Sequence, residues 1–272
     1  MAMGSSEATG GRTKPMSFPC GVHAPGRELF QLCVTLENRP GDLAEVAAVL
    51  AENNVNILSG HIEALPGQGH GLFSAFIDIT EVSTNLASLL EELEGLSSVL
   101  EVKLLEPVMP GVVVNRALFP LKFMGEHAVI VDVRQVGHMF GRLGEVFSTG
   151  ASVIIYEMGL RAGNALLASI RENFGVEGLD ALKLMAALGM ARGWCRTEVV
   201  EWDEEKPRLV VRMWDLFECM PFRNQGGRPR SHFMRGLLAG VVKAMTGVEV
   251  MARETRCIAK GDPYCEFVVE AP

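Results

Sequence analysis

The sequence predicts an α+β chain folded as two consecutive units, on three observations. Its 272 residues exceed the roughly 100–200 residues of one typical domain. Charge is divided along the chain: residues 28–106 carry 13 acidic and 2 basic residues, the remainder 20 and 23. Apolar residues alternate with period two in some stretches and recur every three or four residues in others, so both halves contain strands and helices. A chain that is 48% hydrophobic and 21% charged has the composition of a folded protein. A net charge of -8 argues against a general affinity for nucleic acid or an anionic membrane, and neither is expected as a partner.

Residues 1–27 open with small polar residues and contain no apolar core of signal-peptide length, so they are expected to form a flexible tail. The first unit is expected over residues 28–107. Phe30, Leu32, Val34 and Leu36 alternate as in a half-buried strand. Asn38-Arg39-Pro40-Gly41-Asp42 is a turn cluster, with Asp42 available to cap the helix that Leu43, Val46, Ala47 and Leu50 outline. Val55, Ile57 and Ile62 suggest a second strand. A loop over Pro66 to Gly71 leads to a third strand from Leu72 to Ile79. Leu86, Leu89, Leu90 and Leu93 give a second helix, and Val99 to Leu105 a last strand. The order βαββαβ closes as a split βαβ sheet with both helices on one face.

The second unit is expected over residues 111–271. Leu118 to Phe123 and Ala128 to Val133 suggest a hairpin around Gly125, followed by a helix from Val136 to Phe147. Ala151 to Arg171 is long and apolar, but Glu157, Arg161 and Arg171 interrupt it. It reads as a buried amphipathic helix rather than a membrane span, with Gly159 and Gly163 four apart to permit close packing. A helix from Leu179 to Met190 and strands 194–203 and 208–216 follow. Arg223 to Arg230 is a loop rich in arginine and glycine, able to meet an anion or simply to be solvated. A helix from His232 to Met245 and strands 248–259 and 264–270, across Lys260-Gly261-Asp262-Pro263, complete the unit.

Leu36-Glu37-Asn38-Arg39-Pro40-Gly41-Asp42-Leu43-Ala44 and Ala51-Glu52-Asn53-Asn54-Val55-Asn56-Ile57 resemble the ACT domain, the small regulatory module of amino-acid metabolism. The resemblance covers the whole first unit and implies a ferredoxin-like βαββαβ fold. It also implies that Asn38, Gly41, Asp42 and Leu43 contact an amino acid. The physics suits that role, since glycine permits close backbone approach and helix N-terminal amides attract a carboxylate. The same residues equally make the turn of a domain that only dimerises. The open edges of such a sheet lead to the expectation of a homodimer.

In the second unit Gly236-Leu237-Leu238-Ala239-Gly240, Gly247-Val248-Glu249-Val250 and the run from Glu254 to Phe267 resemble the 4-vinyl reductase domain. The resemblance implies an α+β fold and, for most members, a small-molecule sensor or adaptor. Zinc-binding members take one ligand from a cysteine opening the preceding helix; serine, Ser231, stands there in this chain. Glu254, Cys257 and Cys265 are suitable zinc ligands, and His232, next to Ser231, is the expected fourth. Two packed thiols, or a disulfide across the turn, are the competing readings. Cys195 and Cys219 read as small buried residues. The chain has 14 methionines, and those of the second unit, with Trp194, Phe217 and Phe233, can line an apolar ligand pocket.

Two functions fit. One is a non-enzymatic sensor or regulatory adaptor that binds an amino acid, an apolar compound or both. The alternative is an enzyme of the 4-vinyl reductase type under ACT-domain allosteric control. Zinc is the one cofactor suggested. Six scattered cysteines and the absence of an export signal lead to the expectation of a cytoplasmic protein with reduced thiols.

Overall fold

A computed structural model describes residues 15–272 apart from residues 19, 66, 224 and 226. Much of the expected tail, residues 1–14 and 19, therefore lies outside the described residues. The chain divides into two compact units, Met1–Ala128 and Val129–Pro272.

The first unit opens with β1 (Gly21–His23), which pairs antiparallel with β6 (Val112–Val114). The sequence reading places both outside the first unit's sheet, because three residues are too few to display a period. Between them run β2 (Leu29–Glu37), α1 (Asp42–Glu52), β3 (Asn56–Glu63), β4 (His70–Asp78), α2 (Leu86–Glu94) and β5 (Val99–Leu105). The sheet order is β3-β4-β2-β5, antiparallel throughout, which is the expected split βαβ arrangement. Leu32, Val34 and Leu36 of β2 point to one face, where Val46 and Leu50 of α1 and Leu89 and Leu93 of α2 cover them. On the opposite face Gln31 is buried but satisfied: its amide donates to Ser74 Oγ (3.1 Å) and Asn115 Oδ1 (2.9 Å) and accepts from the Arg116 amide (3.0 Å).

The hairpin after β6 is shorter than expected and belongs to this unit. It consists of β7 (Lys122–Phe123) and β8 (Glu126–His127). Its two-residue turn has φ of 54° at Met124 and 84° at Gly125, the left-handed pair that joins tightly twisted strands.

The second unit contains α3 (Val133–Phe147), α4 (Thr149–Phe174), α5 (Gly178–Ala191), β9 (Arg196–Asp203), β10 (Arg208–Trp214), α6 (His232–Thr246), β11 (Met251–Arg256) and β12 (Cys265–Glu270). Its sheet is antiparallel in the order β11-β12-β10-β9. By length and composition α4 could cross a membrane, yet one face of it is closely packed on α6. Each helix contributes two glycines to the seam. A Cβ built on Gly159 would lie 2.0 Å from the Phe233 carbonyl oxygen, and one on Gly163 2.2 Å from that of Leu237. A Cβ on Gly236 or Gly240 would meet the Tyr156 or Leu160 carbonyl oxygen at 2.0 Å or 2.3 Å. The main core of the unit is built of Leu209, Val211 and Met213 on β10, Leu237, Leu238, Val241 and Val242 on α6, and Phe267 and Val269 on β12.

Candidate metal centre

Three connections in the second unit converge at the start of α6. The chain leaves β10 and reaches Cys219, immediately before a 3-10 turn at Met220–Phe222. Glu254 lies on β11, and Cys257 follows that strand. Cys265 is the first residue of β12. A 3-10 turn at Ile258–Lys260 and Gly261, whose φ is 103°, fold the intervening chain back. Asp262 fixes that fold by accepting the Cys257 amide at 2.8 Å.

This brings one carboxylate oxygen and three sulfurs, from Glu254, Cys219, Cys257 and Cys265, within 4.8 Å of one another. The three cysteine side chains are fully buried, and all six cysteines are unbridged. Cys219 Sγ lies 3.5 Å from Cys257 Sγ, near the roughly 3.8 Å separation of two thiolates on one tetrahedral zinc ion. Ser231, also buried, donates from its Oγ to Glu254 Oε1 (2.8 Å) and lies 2.9 Å from Cys219 Sγ.

The electrostatics describe a cluster short of positive charge. The neighbouring thiols Cys219 and Cys265 hydrogen-bond to Cys257 and drive its pKa far down. The contacts among the three thiols, together with burial, drive Cys219 and Cys265 up. Burial, and then the Cys257 thiolate, push Glu254 up to about 8. One thiolate is thus stabilised at the cost of the other three groups. A bound cation lets all four ionise together, because it supplies the missing charge at the point where they meet. The cluster can therefore hold a metal ion. The donor set of three thiolates and one carboxylate fits a soft or borderline divalent ion.

Of the residues expected on sequence, Glu254, Cys257 and Cys265 come together. His232 is turned aside: its Nδ1 accepts from Arg235 (2.9 Å) and its Nε2 lies 3.2 Å from Ser152 Oγ. Burial, and then Arg235 and Arg230, lower its pKa to about 4. Cys219, which the sequence reading treats as an incidental buried residue, occupies the fourth position. It stands 35 residues before Glu254 and outside any local ligand spacing, so only the fold brings it in.

The residue before it, Glu218, anchors this arrangement. Its carboxylate accepts the Phe233 and Met234 amides at 2.8 Å and 2.9 Å, capping the N-terminus of α6 from a buried position. Burial raises its pKa to about 8 despite those bonds. Because the folded value exceeds the unfolded one of about 4.5, folding retains a proton across that interval. Stability is expected to fall as pH rises from about 4.5 to about 8, by on the order of a few kcal/mol, and then to level off. The three tryptophans, Trp194, Trp202 and Trp214, all lie in the second unit, so urea melts followed by their fluorescence isolate it. Glu218→Gln should be less stable at pH 5 and show a flatter pH profile; an unchanged slope would contradict this account.

The amino-acid positions expected in the first unit are each engaged by the fold. Asn38 donates to the carbonyls of Leu65 and Gln68, both at 3.1 Å. Gly41, with φ of 105°, is itself the residue that starts α1. Asp42, expected as the cap, is instead the first helical residue, and it accepts the Arg39 amide at 3.1 Å. Leu43 packs on the core.

An apolar cavity of about 30 Å³ lies between α5, β9, β10 and α6, room for one or two waters. Met185, Met213, Met234 and Trp194 line it, as expected, together with Leu182 and Val211. Met139, Met158, Met190 and Met251 are exposed instead.

Comparison with known proteins gives a match to the 4-vinyl reductase domain over residues 209–271, which include all four ligand residues. The chain is 31% identical over 123 residues to the protein MJ0150 of Methanocaldococcus jannaschii, an alignment covering 44% of this chain and 65% of that protein. The chain thus spans slightly under two thirds of that relative's length. Among solved structures it is similar to the phenol-responsive sensory domain of the transcription activator PoxR with phenol. That likeness has a TM-score of 0.49 and 17% identity, over 54% of this chain and 78% of that one. It is also similar to the ACT domain of GTP pyrophosphokinase from Chlorobium tepidum, with a TM-score of 0.25 and 20% identity, over 29% and 99%. Residues 209–271 of the chain are a 4-vinyl reductase domain.

Proposed function

We propose that the protein is a cytoplasmic, non-enzymatic regulator that responds to a small molecule, with a structural zinc ion in its 4-vinyl reductase domain and an ACT-type first unit that dimerises. The observation that carries this reading is the four-ligand cluster inside the matched domain. Zinc held by Cys219, Glu254, Cys257 and Cys265 would have four protein ligands and no open position, so it would supply rigidity rather than chemistry. Unbridged cysteines suit a reducing compartment.

The cluster ties the end of β10 and the start of α6 to β11 and β12. β10 and α6 also carry Met213 and Met234, which line the apolar cavity. An apolar ligand that widened this cavity would push on elements fixed at one end by the metal, and so would pass its arrival along them as a lever does. In the first unit, the turn from Asn38 to Leu43 is the place for an amino acid.

Elemental analysis of protein expressed with ample zinc and purified without chelator is expected to give one zinc per chain. A metal-free product would overturn the zinc reading. The first unit predicts its own result. β3 is an edge strand exposing Ile57, Leu58 and Ile62, and pairing of this edge between copies would bury them. Light scattering at micromolar concentration should report a dimer, and a monomer would refute it.

A further inference from the structure

The second unit contains a cleft of about 850 Å³ that the proposed metal centre and apolar cavity do not use. Its size is within the range that encloses a small organic molecule. One wall is apolar, formed by Phe140 of α3, Ala151 and Ile155 of α4, and Phe222. The other presents arginines: Arg228 and Arg230 from the loop before α6, Arg235 from its first turn and Arg253 from β11.

This is a local concentration of charge in a neutral unit. Residues 129–272 hold 18 acids and 18 bases, whereas residues 223–235 hold four arginines and no acid. Arg253 is already paired with Glu270. Among the described residues no carboxylate lies at ion-pair distance from Arg228, Arg230 or Arg235. Glu254, the acid on the rim, is turned to Ser231 and the thiol cluster.

Two of these guanidiniums are held in place. Arg230 lies over the Phe222 ring, 4.6 Å from its centroid. Arg235 lies 5.7 Å from the Tyr156 ring centroid and donates to His232 Nδ1 at 2.9 Å. Arginine only donates, so Nδ1 carries no proton; the ring proton is on Nε2 and is directed to Ser152 Oγ at 3.2 Å. The Ser152–His232 pair thereby positions Arg235 without neutralising it. A solvated arginine loop needs neither a stacked ring nor a histidine bracket, nor does it need an apolar wall opposite.

We propose that this cleft binds an organic anion, its carboxylate or phosphate head held by Arg228, Arg230 and Arg235 and its apolar body laid on Phe140, Ile155 and Phe222. The guanidinium fork matches both head groups. The inference deepens the reading of the protein as a small-molecule regulator, and rests on it, by naming the ligand class and a site distinct from the narrow apolar cavity.

The test is calorimetry on the full zinc-loaded chain with decanoate, decyl phosphate, decan-1-ol and inorganic phosphate. At least one of the two amphipathic anions should bind with one site per chain, and more tightly than decan-1-ol or inorganic phosphate. Which of them binds better identifies the head group. The double variant Arg230→Gln, Arg235→Gln should weaken that binding by about tenfold or more, the scale of one lost charged hydrogen bond. Arg228→Gln, a change at an exposed side chain that leaves the core untouched, should weaken it several-fold and keeps the test decisive if the double variant does not fold. Decan-1-ol binding as tightly as the anions, with the variants unaffected, would overturn the anion site while leaving the regulator reading intact. No binding of either anion at about 1 mM would also overturn it. Failure of the zinc analysis would instead count against the proposed metal centre and leave this site standing.

Discussion

Gly236→Val is expected to unfold or severely destabilise the second unit, by roughly 3 kcal/mol or more. The first added atom alone would sit 2.0 Å from the Tyr156 carbonyl oxygen, and the obstacle is backbone, which cannot swing aside as a side chain can. The sign is informative because helix propensity argues the other way. Replacing a helical glycine by alanine gains up to about 1 kcal/mol where there is space. Gly141 in α3 has nothing within 4 Å of its would-be Cβ, so Gly141→Ala should stabilise. Gly236→Ala should destabilise, since the α4–α6 seam must open to admit one methyl. Urea midpoints from tryptophan fluorescence decide the matter. If Gly236→Ala were as stabilising as Gly141→Ala, the close packing of α4 on α6 would be wrong.

That seam also marks how far the sequence can be read. Gly159 and Gly163, four apart in an apolar helix, announce a close approach, but nothing local names the opposing surface. Gly236 and Gly240 have the same spacing about 75 residues later, and their role as the facing pair emerges only when α6 lies along α4. The first unit is legible because its information is local: the alternation of Phe30 to Leu36 and the helical spacing of Leu43 to Leu50 each specify an element without reference to the rest. The short pairing of Gly21–His23 with Val112–Val114 is not, being three residues on each side and about 90 apart in sequence. The metal centre falls between these cases. Glu254, Cys257 and Cys265 occupy one β-hairpin and announce themselves by spacing. The spacing puts the fourth position at the start of α6, and His232 is there, but the helix turns its ring toward Ser152 and Arg235. The space beside Ser231 is filled from the other direction, by a thiol on the preceding loop.

This exchange of ligand position leads to the second large effect. In zinc-loaded protein, Cys219→Ala should lose the metal and destabilise the second unit by several kcal/mol, because binding energy at a site formed only on folding is folding energy. Were the cluster merely packed thiols, the same change would cost about 1 kcal/mol, the scale of a small core truncation. His232→Ala should keep one zinc per chain, since its ring points away from the cluster, and zinc loss in that variant would restore histidine to the ligand set. The rescue is more demanding. Ser231 Oγ lies 2.9 Å from Cys219 Sγ and 2.8 Å from Glu254 Oε1, so a sulfur at residue 231 reaches the same point in space. Cys219→Ala combined with Ser231→Cys should therefore recover zinc and most of the lost stability. Cys219→Ser combined with Ser231→Ala, which offers only a hydroxyl, should recover neither. Recovery by the first pair and not by the second would establish that the fold specifies a location for the fourth ligand and leaves open which of the two adjoining segments supplies it.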